Sequence, residues 1–232
     1  MRSPPTAAGT LLSVFVLLVQ EAPSARADTF GGQVHVVRSR AALDGMSLDA
    51  TSDRDARLPT SIGLDQDAEL IGGSFRFDWM ENDLRLGGAL MIFGVRDIRL
   101  PADLRVTGSE VWARDGLGGS LEAFVGYELA QGPVYPYADI RATLQAFEVP
   151  VMVRGEGAGE SSSSYGRVLP AVGPRVGMLV PVGHSLMIDL AVYQRVVGGL
   201  EQTTAFVGLG YWENDRADPF TDKLKGSFGG DF

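Results

Sequence analysis

The feature that most constrains this chain is a period of two. From residue 70 to 212, apolar and polar residues alternate with little interruption, and no long helical period competes with them. Successive side chains of a strand point to opposite faces, so alternation sorts each segment into one apolar and one polar face. In 70–79, Ile71, Phe75, Phe77 and Trp79 oppose Ser74, Arg76 and Asp78. In 121–129, Leu121, Ala123, Val125, Tyr127 and Leu129 oppose Glu122 and Glu128. In 134–147, Ala138, Ile140, Ala142 and Leu144 oppose Asp139, Arg141, Thr143 and Gln145. In 168–182, Val172, Val176, Met178 and Val180 oppose Gly173, Arg175 and Gly177; in 186–196, Leu186, Ile188, Leu190 and Val192 oppose Asp189, Tyr193 and Arg195. The last segment, 203–212, groups Ala205, Val207, Leu209 and Tyr211. Segment 84–95 is apolar on both faces, and 33–43 has no clear inside. Together these predict an all-β chain of eight strands.

The connectors alternate in length. Long stretches at 44–67, 97–117 and 148–164 are interleaved with short ones at 81–83, 131–133 and 183–184; only 198–202 breaks the pattern by being short. Long loops at one end and tight turns at the other fit a membrane barrel whose termini share the tight-turn end, and strands of about 10 residues or more suit a tilted crossing.

The N-terminus reads as a targeting segment. Arg2 precedes the apolar run LLSVFVLLV (11–19), and Ala25-Arg26-Ala27 places small residues at the two positions a signal peptidase reads. The expected organisation is a signal peptide over 1–27, a barrel over 28–213 and a short periplasmic tail over 214–232.

Composition removes most chemistry. Cysteine is absent and His35 and His184 are the only imidazoles, which excludes disulfides, thiolate sites and three-His metal centres. A formal charge of −9 gives no basic footprint for nucleic acid.

The polar faces then bear on the solvent. In a soluble sandwich or a lipocalin-like barrel the charged face meets water; in a small membrane barrel the apolar face meets lipid and the charged face fills the lumen. Arg76, Arg141, Arg175 and Arg195 stand ready to pair with Asp78, Glu122, Glu128, Asp139 and Asp189, which makes their burial in a lumen tolerable. This, the targeting segment and the connector lengths favour the membrane reading. The expected architecture is an eight-stranded antiparallel up-and-down transmembrane β-barrel, with Phe75, Phe77, Val125, Ile140, Leu144, Val176, Ile188, Leu190, Val207 and Leu209 facing lipid.

The segments GPVYPYADIRATLQAF (132–147) and GPRVGMLVPVG (173–183) and the aromatic-ended AFVGLGYW (205–212), set in this architecture, resemble the eight-stranded outer-membrane barrels of the OmpA, OmpX and opacity types over residues 28–213. The resemblance implies an outer-membrane location in a Gram-negative bacterium. It implies lipid, lipopolysaccharide and the outer-membrane assembly machinery as partners. It also implies a non-enzymatic role in envelope integrity, or in adhesion to an extracellular ligand through loops 44–67, 97–117 and 148–164. The chain departs from these relatives by running on for twenty residues past Trp212 to Phe232.

Candidate sites are few. His184-Ser185 falls in a tight turn and His35 near the inner start of the first strand, both away from the outer leaflet, so no Ser-His-acid centre is expected. Ser161 to Ser164, close to Gly155, Gly157 and Gly159, reads as a flexible loop tip. Asp49, Asp53 and Asp55 lack the glycine turn and closing Glu of a calcium loop. No catalytic residue, cofactor or metal is expected. Trp79, Tyr127, Tyr211 and Trp212 are expected at the bilayer interface. Eight strands leave an interior just wide enough for side chains, so a closed scaffold is favoured over a narrow channel or a small-ligand carrier.

Overall fold

The computed structural model describes residues 29–51, 55–81, 83–129, 134–155, 159–182 and 185–212. The expected signal peptide, His184 and the tail lie outside the described residues. The strands are β1 (Thr29–Ala41), β2 (Met46–Ala50), β3 (Ser61–Leu64), β4 (Ala68–Glu81), β5 (Leu84–Arg96) and β6 (Ser109–Ala113), followed by β7 (Gly116–Glu128), β8 (Tyr135–Gly155), β9 (Glu160–Pro181), β10 (Leu186–Gln194), β11 (Val197–Gly198) and β12 (Glu201–Trp212).

Eight of these close a ring in which every neighbour is antiparallel: β1 to β4, β5, β7, β8, β9, β10, β12 and back to β1. The seam is paired along most of its length, from Gly31 opposite Trp212 to Ala41 opposite Glu201, with one register shift after Ser39. Closure leaves the ring no unpaired edge, the condition a sheet must meet to stand in hydrocarbon. Parity then sets the outside. Phe75, Phe77, Leu90, Leu121, Val125, Ile140, Leu144, Leu190, Val207 and Leu209 are exposed on the outer wall. Val176 and Ile188 are half-buried.

At the tight-turn end the ladders run to Glu81 opposite Leu84 and to Glu128 opposite Tyr137, and the expected turns 131–133 and 183–184 lie outside the described residues; the other end departs from expectation. Residues 148–155 and 160–164 of the expected loop are strand. β8 and β9 stay paired from Tyr135 opposite Leu179 to Arg154 opposite Glu160. Beyond Glu148, where its pairing with β7 ends, β8 continues through seven more residues, a projection of about 23 Å at roughly 3.3 Å per residue. Ser161 to Ser164 therefore sit in β9 opposite Met152 and its neighbours, correcting the loop-tip reading, because their backbone groups are taken by the ladder.

This projecting hairpin recruits the remaining strands. β2 and β3 pair with each other, and β2 joins β9 at Asp49–Gly166 and Ala50–Tyr165. On the other side β6 pairs with the outer part of β8. The result is an outer sheet in the order β3–β2–β9–β8–β6. It encloses Leu48, Leu58, Ile62, Val149, Val151, Val153 and Tyr165, which merge with the upper barrel residues Val37, Leu70, Phe93 and Val95 in one apolar core. The β10–β12 connection returns through Gly198 and Gly199 at φ 66° and 69°, a left-handed pair that glycine adopts without strain and that turns Leu200 into this core.

Three substitutions test this arrangement. Ile140→Arg, on the outer wall, should cost about 2–4 kcal/mol in reversible unfolding from bilayers. Leu48→Ala, in the outer core, should cost about 2–5 kcal/mol through the cavity it leaves. An outward Ile140 predicts that Ile140→Leu is nearly silent in the same assay.

Candidate functional site

The lumen holds the densest chemistry. Ten of its charged residues are buried: Arg76, Arg85, Arg141 and Arg175 with Asp78, Asp139, Asp189, Glu122, Glu128 and Glu201. They reach it from inward positions of their strands, and all but Glu128 fall in three groups.

At the inner end, Asp78 accepts from Arg76 Nε at 2.7 Å, Arg85 Nη2 at 3.1 Å and Gln33 Nε2 at 2.7 Å. In the middle, Arg175 grips Asp139 with Nη2 at 2.8 Å and Nε at 3.1 Å, the two-pronged contact that a guanidinium alone can make. Arg76 Nη2 reaches the same carboxylate at 3.4 Å, so the two groups share a cation. Asp189 is held by the Tyr137 hydroxyl at 2.8 Å and by His35 Nε2 at 2.9 Å. Nearer the outer end, Arg141 Nη2 bonds Glu122 and lies 3.2 Å from Glu201 Oε2, bridging β7 to β12 across the lumen.

Aromatic faces take the guanidinium planes. Arg76 stands 3.9 Å from the Phe124 ring centroid, Arg85 4.0 Å from Tyr137, and Arg141 4.5 Å from Tyr193. Arg85 Nη1 and Arg141 Nη1 make no hydrogen bond among the described residues. The rings beside them compensate part of that loss. Space for these groups comes from glycine. His35 lies opposite Gly208, Trp212 opposite Gly31, Tyr137 opposite Gly177, and Asp139 opposite Gly126. A Cβ on Gly177 would stand 2.6 Å from Tyr137 Cζ, a distance real side chains do not tolerate.

Of the nine residues expected in the lumen, Arg76, Asp78, Glu122, Asp139, Arg141, Arg175 and Asp189 meet in this network, and Glu128 is buried at the inner end. Arg195 does not join. β10 leaves the ladder after Gln194, and Arg195 Nη1 donates instead to the Gly199 carbonyl at 2.7 Å in the outer turn. The alternation missed Arg85 because its strand is apolar on both faces; its signal was the small inward companions Gly87 and Ala89. Glu201 was missed because it stood in an expected connector, and the register shift beside it turns it inward. His35 lies deeper than expected, within the lumen against Asp189 and Ser74.

Among the expected interface aromatics, Trp79, Tyr127 and Tyr211 are exposed on the outer wall at the tight-turn end, with Phe30 beside Trp79. Trp212 is corrected: it is 1% exposed and turned into the lumen. Its parity is opposite to that of Tyr211, and Gly31 across the seam leaves room for the indole.

A second polar cluster fastens the outer sheet. Asp55 receives Arg57 Nη2 at 2.6 Å, Arg57 Nε at 2.9 Å and the Ser161 hydroxyl at 2.5 Å, while Arg57 Nη1 reaches Ser109 Oγ at 3.2 Å. The clip ties the β2–β3 connection to both β9 and β6. Bonds from Arg57 and then from Ser161 hold the Asp55 carboxyl well below the usual carboxylate range. No cluster of His, Cys, Asp or Glu suited to a metal occurs among the described residues.

No family model and no curated protein matches this chain. Solved structures do. OprG from Pseudomonas aeruginosa aligns at a TM-score of 0.51 with 10% identity, over 82% of this chain and 98% of that one. Neisserial surface protein A aligns at 0.43 with 16% identity, over 84% and 100%. Ail from Yersinia pestis aligns at 0.42 with 14% identity, over 79% and 97%.

Two measurements probe the site. Arg141→Ala should destabilise by about 3–5 kcal/mol, because it strands buried carboxylates, and Arg141→Ala with Glu122→Gln should cost less than the sum of the two. For the clip, a folded value below the unfolded one means its contribution is complete above about pH 3.9 and is lost as pH falls through the lower folded value. A carbon-13 titration of Asp55 should find its midpoint well below about 3.9, moving back up in Arg57→Gln. With its closed antiparallel ring, outward apolar wall and charge-filled interior, the chain has the fold of the eight-stranded outer-membrane β-barrels.

Proposed function

We propose that the protein is a closed, non-enzymatic barrel of the Gram-negative outer membrane, exported with cleavage after Ala27, whose function resides in the sheet it projects from the outer end. The observation that carries this reading is the lumen. Four guanidiniums, their carboxylates and the rings packed on them occupy the middle of an eight-stranded ring, where little room remains for a solute path. A barrel filled in this way serves as a rigid membrane anchor. Specificity then belongs to the segments the anchor displays.

The outer wall supports the membrane half of the proposal. Its exposed apolar side chains form a continuous belt, Trp79, Tyr127 and Tyr211 rim the inner end, and outward Arg38, Arg40 and Glu69 mark the outer end. That order matches hydrocarbon bounded by two polar interfaces. The outer sheet supports the surface half. It is built on β8 and β9, packed on the apolar core it shares with the upper barrel and clipped by Asp55 and Arg57, so it can present a fixed surface to an extracellular ligand. On this reading lipid, lipopolysaccharide and the assembly machinery are the partners of the barrel wall.

The purified protein should migrate faster on gels unheated than boiled, begin at Asp28, and produce no steady single-channel current in planar bilayers. Steady current from the wild type would overturn the closed lumen and favour a narrow channel for small solutes. Protein found in the soluble fraction with Met1 intact would overturn the membrane location.

A further inference from the structure

The surface reading leaves open what the outer end binds, and one place there has the makings of a site. Between β5 and β6 the chain folds back on itself around an open, solvent-facing cavity of about 740 Å³, within the range of about 300–1,000 Å³ typical of small-molecule sites. Its floor is apolar: Ile98, Leu100, Leu104 and Val106 line it while packing against the main core, so the floor is held by the fold. Trp112 of β6 closes one side. The loop leaves β5 after Arg96, just beyond the level of Gly94 and Leu117, an outward residue 66% exposed at the top of the apolar belt.

The rim carries the second observation. Arg99 and Arg105 line the cavity, are exposed, and form no ion pair among the described residues. At the outer end Arg38 pairs with Glu69, Arg40 with Asp67, and Arg114 and Arg154 with Glu160, whereas Arg99 and Arg105, like Arg96 and Arg167, have no ion-pair partner among the described residues. Among the described residues Arg105 uses only Nε, toward the Ala102 carbonyl at 3.4 Å, and its terminal nitrogens bond none of them. In a chain of net charge −9, two unmatched guanidiniums over an apolar floor are complementary to an anion with an apolar body.

Resting on the closed-barrel reading above, we infer that this cavity binds a single-chain anionic amphiphile of the fatty-acid type. The chain lies on the floor beside Trp112, and the carboxylate is held by Arg99 and Arg105 at the mouth. The volume suits one such chain, and the position at the upper limit of the belt lets it enter from the outer leaflet.

The test uses the full-length protein in phosphatidylcholine nanodiscs, carrying Trp79→Phe to remove the exposed indole on the lipid-facing wall, with 11-bromoundecanoate as a quencher. Saturable quenching is expected, lost on adding Trp112→Phe. Arg99→Gln with Arg105→Gln should weaken it at least about tenfold, and the uncharged 11-bromoundecanol should bind at least about tenfold more weakly than the acid. Quenching that rises linearly without saturation, that is equal for acid and alcohol, or that is unchanged in the double arginine variant would overturn the inference. The same nanodiscs are scored for heat-modifiable migration. A folded barrel that fails to bind defeats this inference alone, whereas failure to assemble in the membrane defeats the reading beneath it.

Discussion

The narrowness of an eight-stranded ring governs the rest of this structure. Such a ring has an interior only as wide as the side chains that fill it, so each large inward residue needs a small one opposite. The seam shows how this is met: Gln33, His35 and Trp212 face Gly210, Gly208 and Gly31 in turn. The same pairing recurs at Tyr137 and Gly177 and at Phe124 and Gly87. Because the glycines set where bulk fits, they also set where the guanidiniums lie, over the rings of Phe124, Tyr137 and Tyr193.

Charge follows from that packing. Ions enclosed this tightly have little access to water, so each must be matched, and a mutation that removes one partner costs more than a mutation that removes both. Asp78 is met from three sides by Gln33, Arg76 and Arg85, on three adjacent strands. Arg141 spans two carboxylates on opposite walls. The Arg141 contacts cross the lumen and brace the ring in a direction its backbone ladder does not.

The outer end follows a different physics. Above Arg141 the interior turns apolar, and the core continues from Phe93 and Val95 into Val149, Val151 and Tyr165 of the projecting hairpin. Hydrophobic burial there is what allows β2, β3 and β6, strands of four or five residues, to hold their places. Charge pairing thus holds the lumen, and hydrophobic burial holds the sheet above it.

Alternation by itself determined the class of fold, most of the ring strands and the two faces of the wall, because side-chain direction in a strand depends on parity alone. That is why Arg76, Asp139, Arg141, Arg175 and Asp189 could be assigned to one interior before any strand was paired with another. Which arginine meets which carboxylate depended on stagger, a property of closure that no single segment contains. The same is true of Arg85, masked by a doubly apolar strand, and of Glu201, turned inward by a register shift at the seam. Trp212 shows the limit from the other side: an aromatic at a strand end suggested the membrane interface, yet its parity and the glycine across from it drew it inward. The outer sheet was the least legible part. Its short strands carry too few residues for a period to emerge, and they exist because β8 and β9 rise above the barrel with edges left to pair. Local pattern fixed the direction each side chain faces; only the closed tertiary structure decided what it meets there.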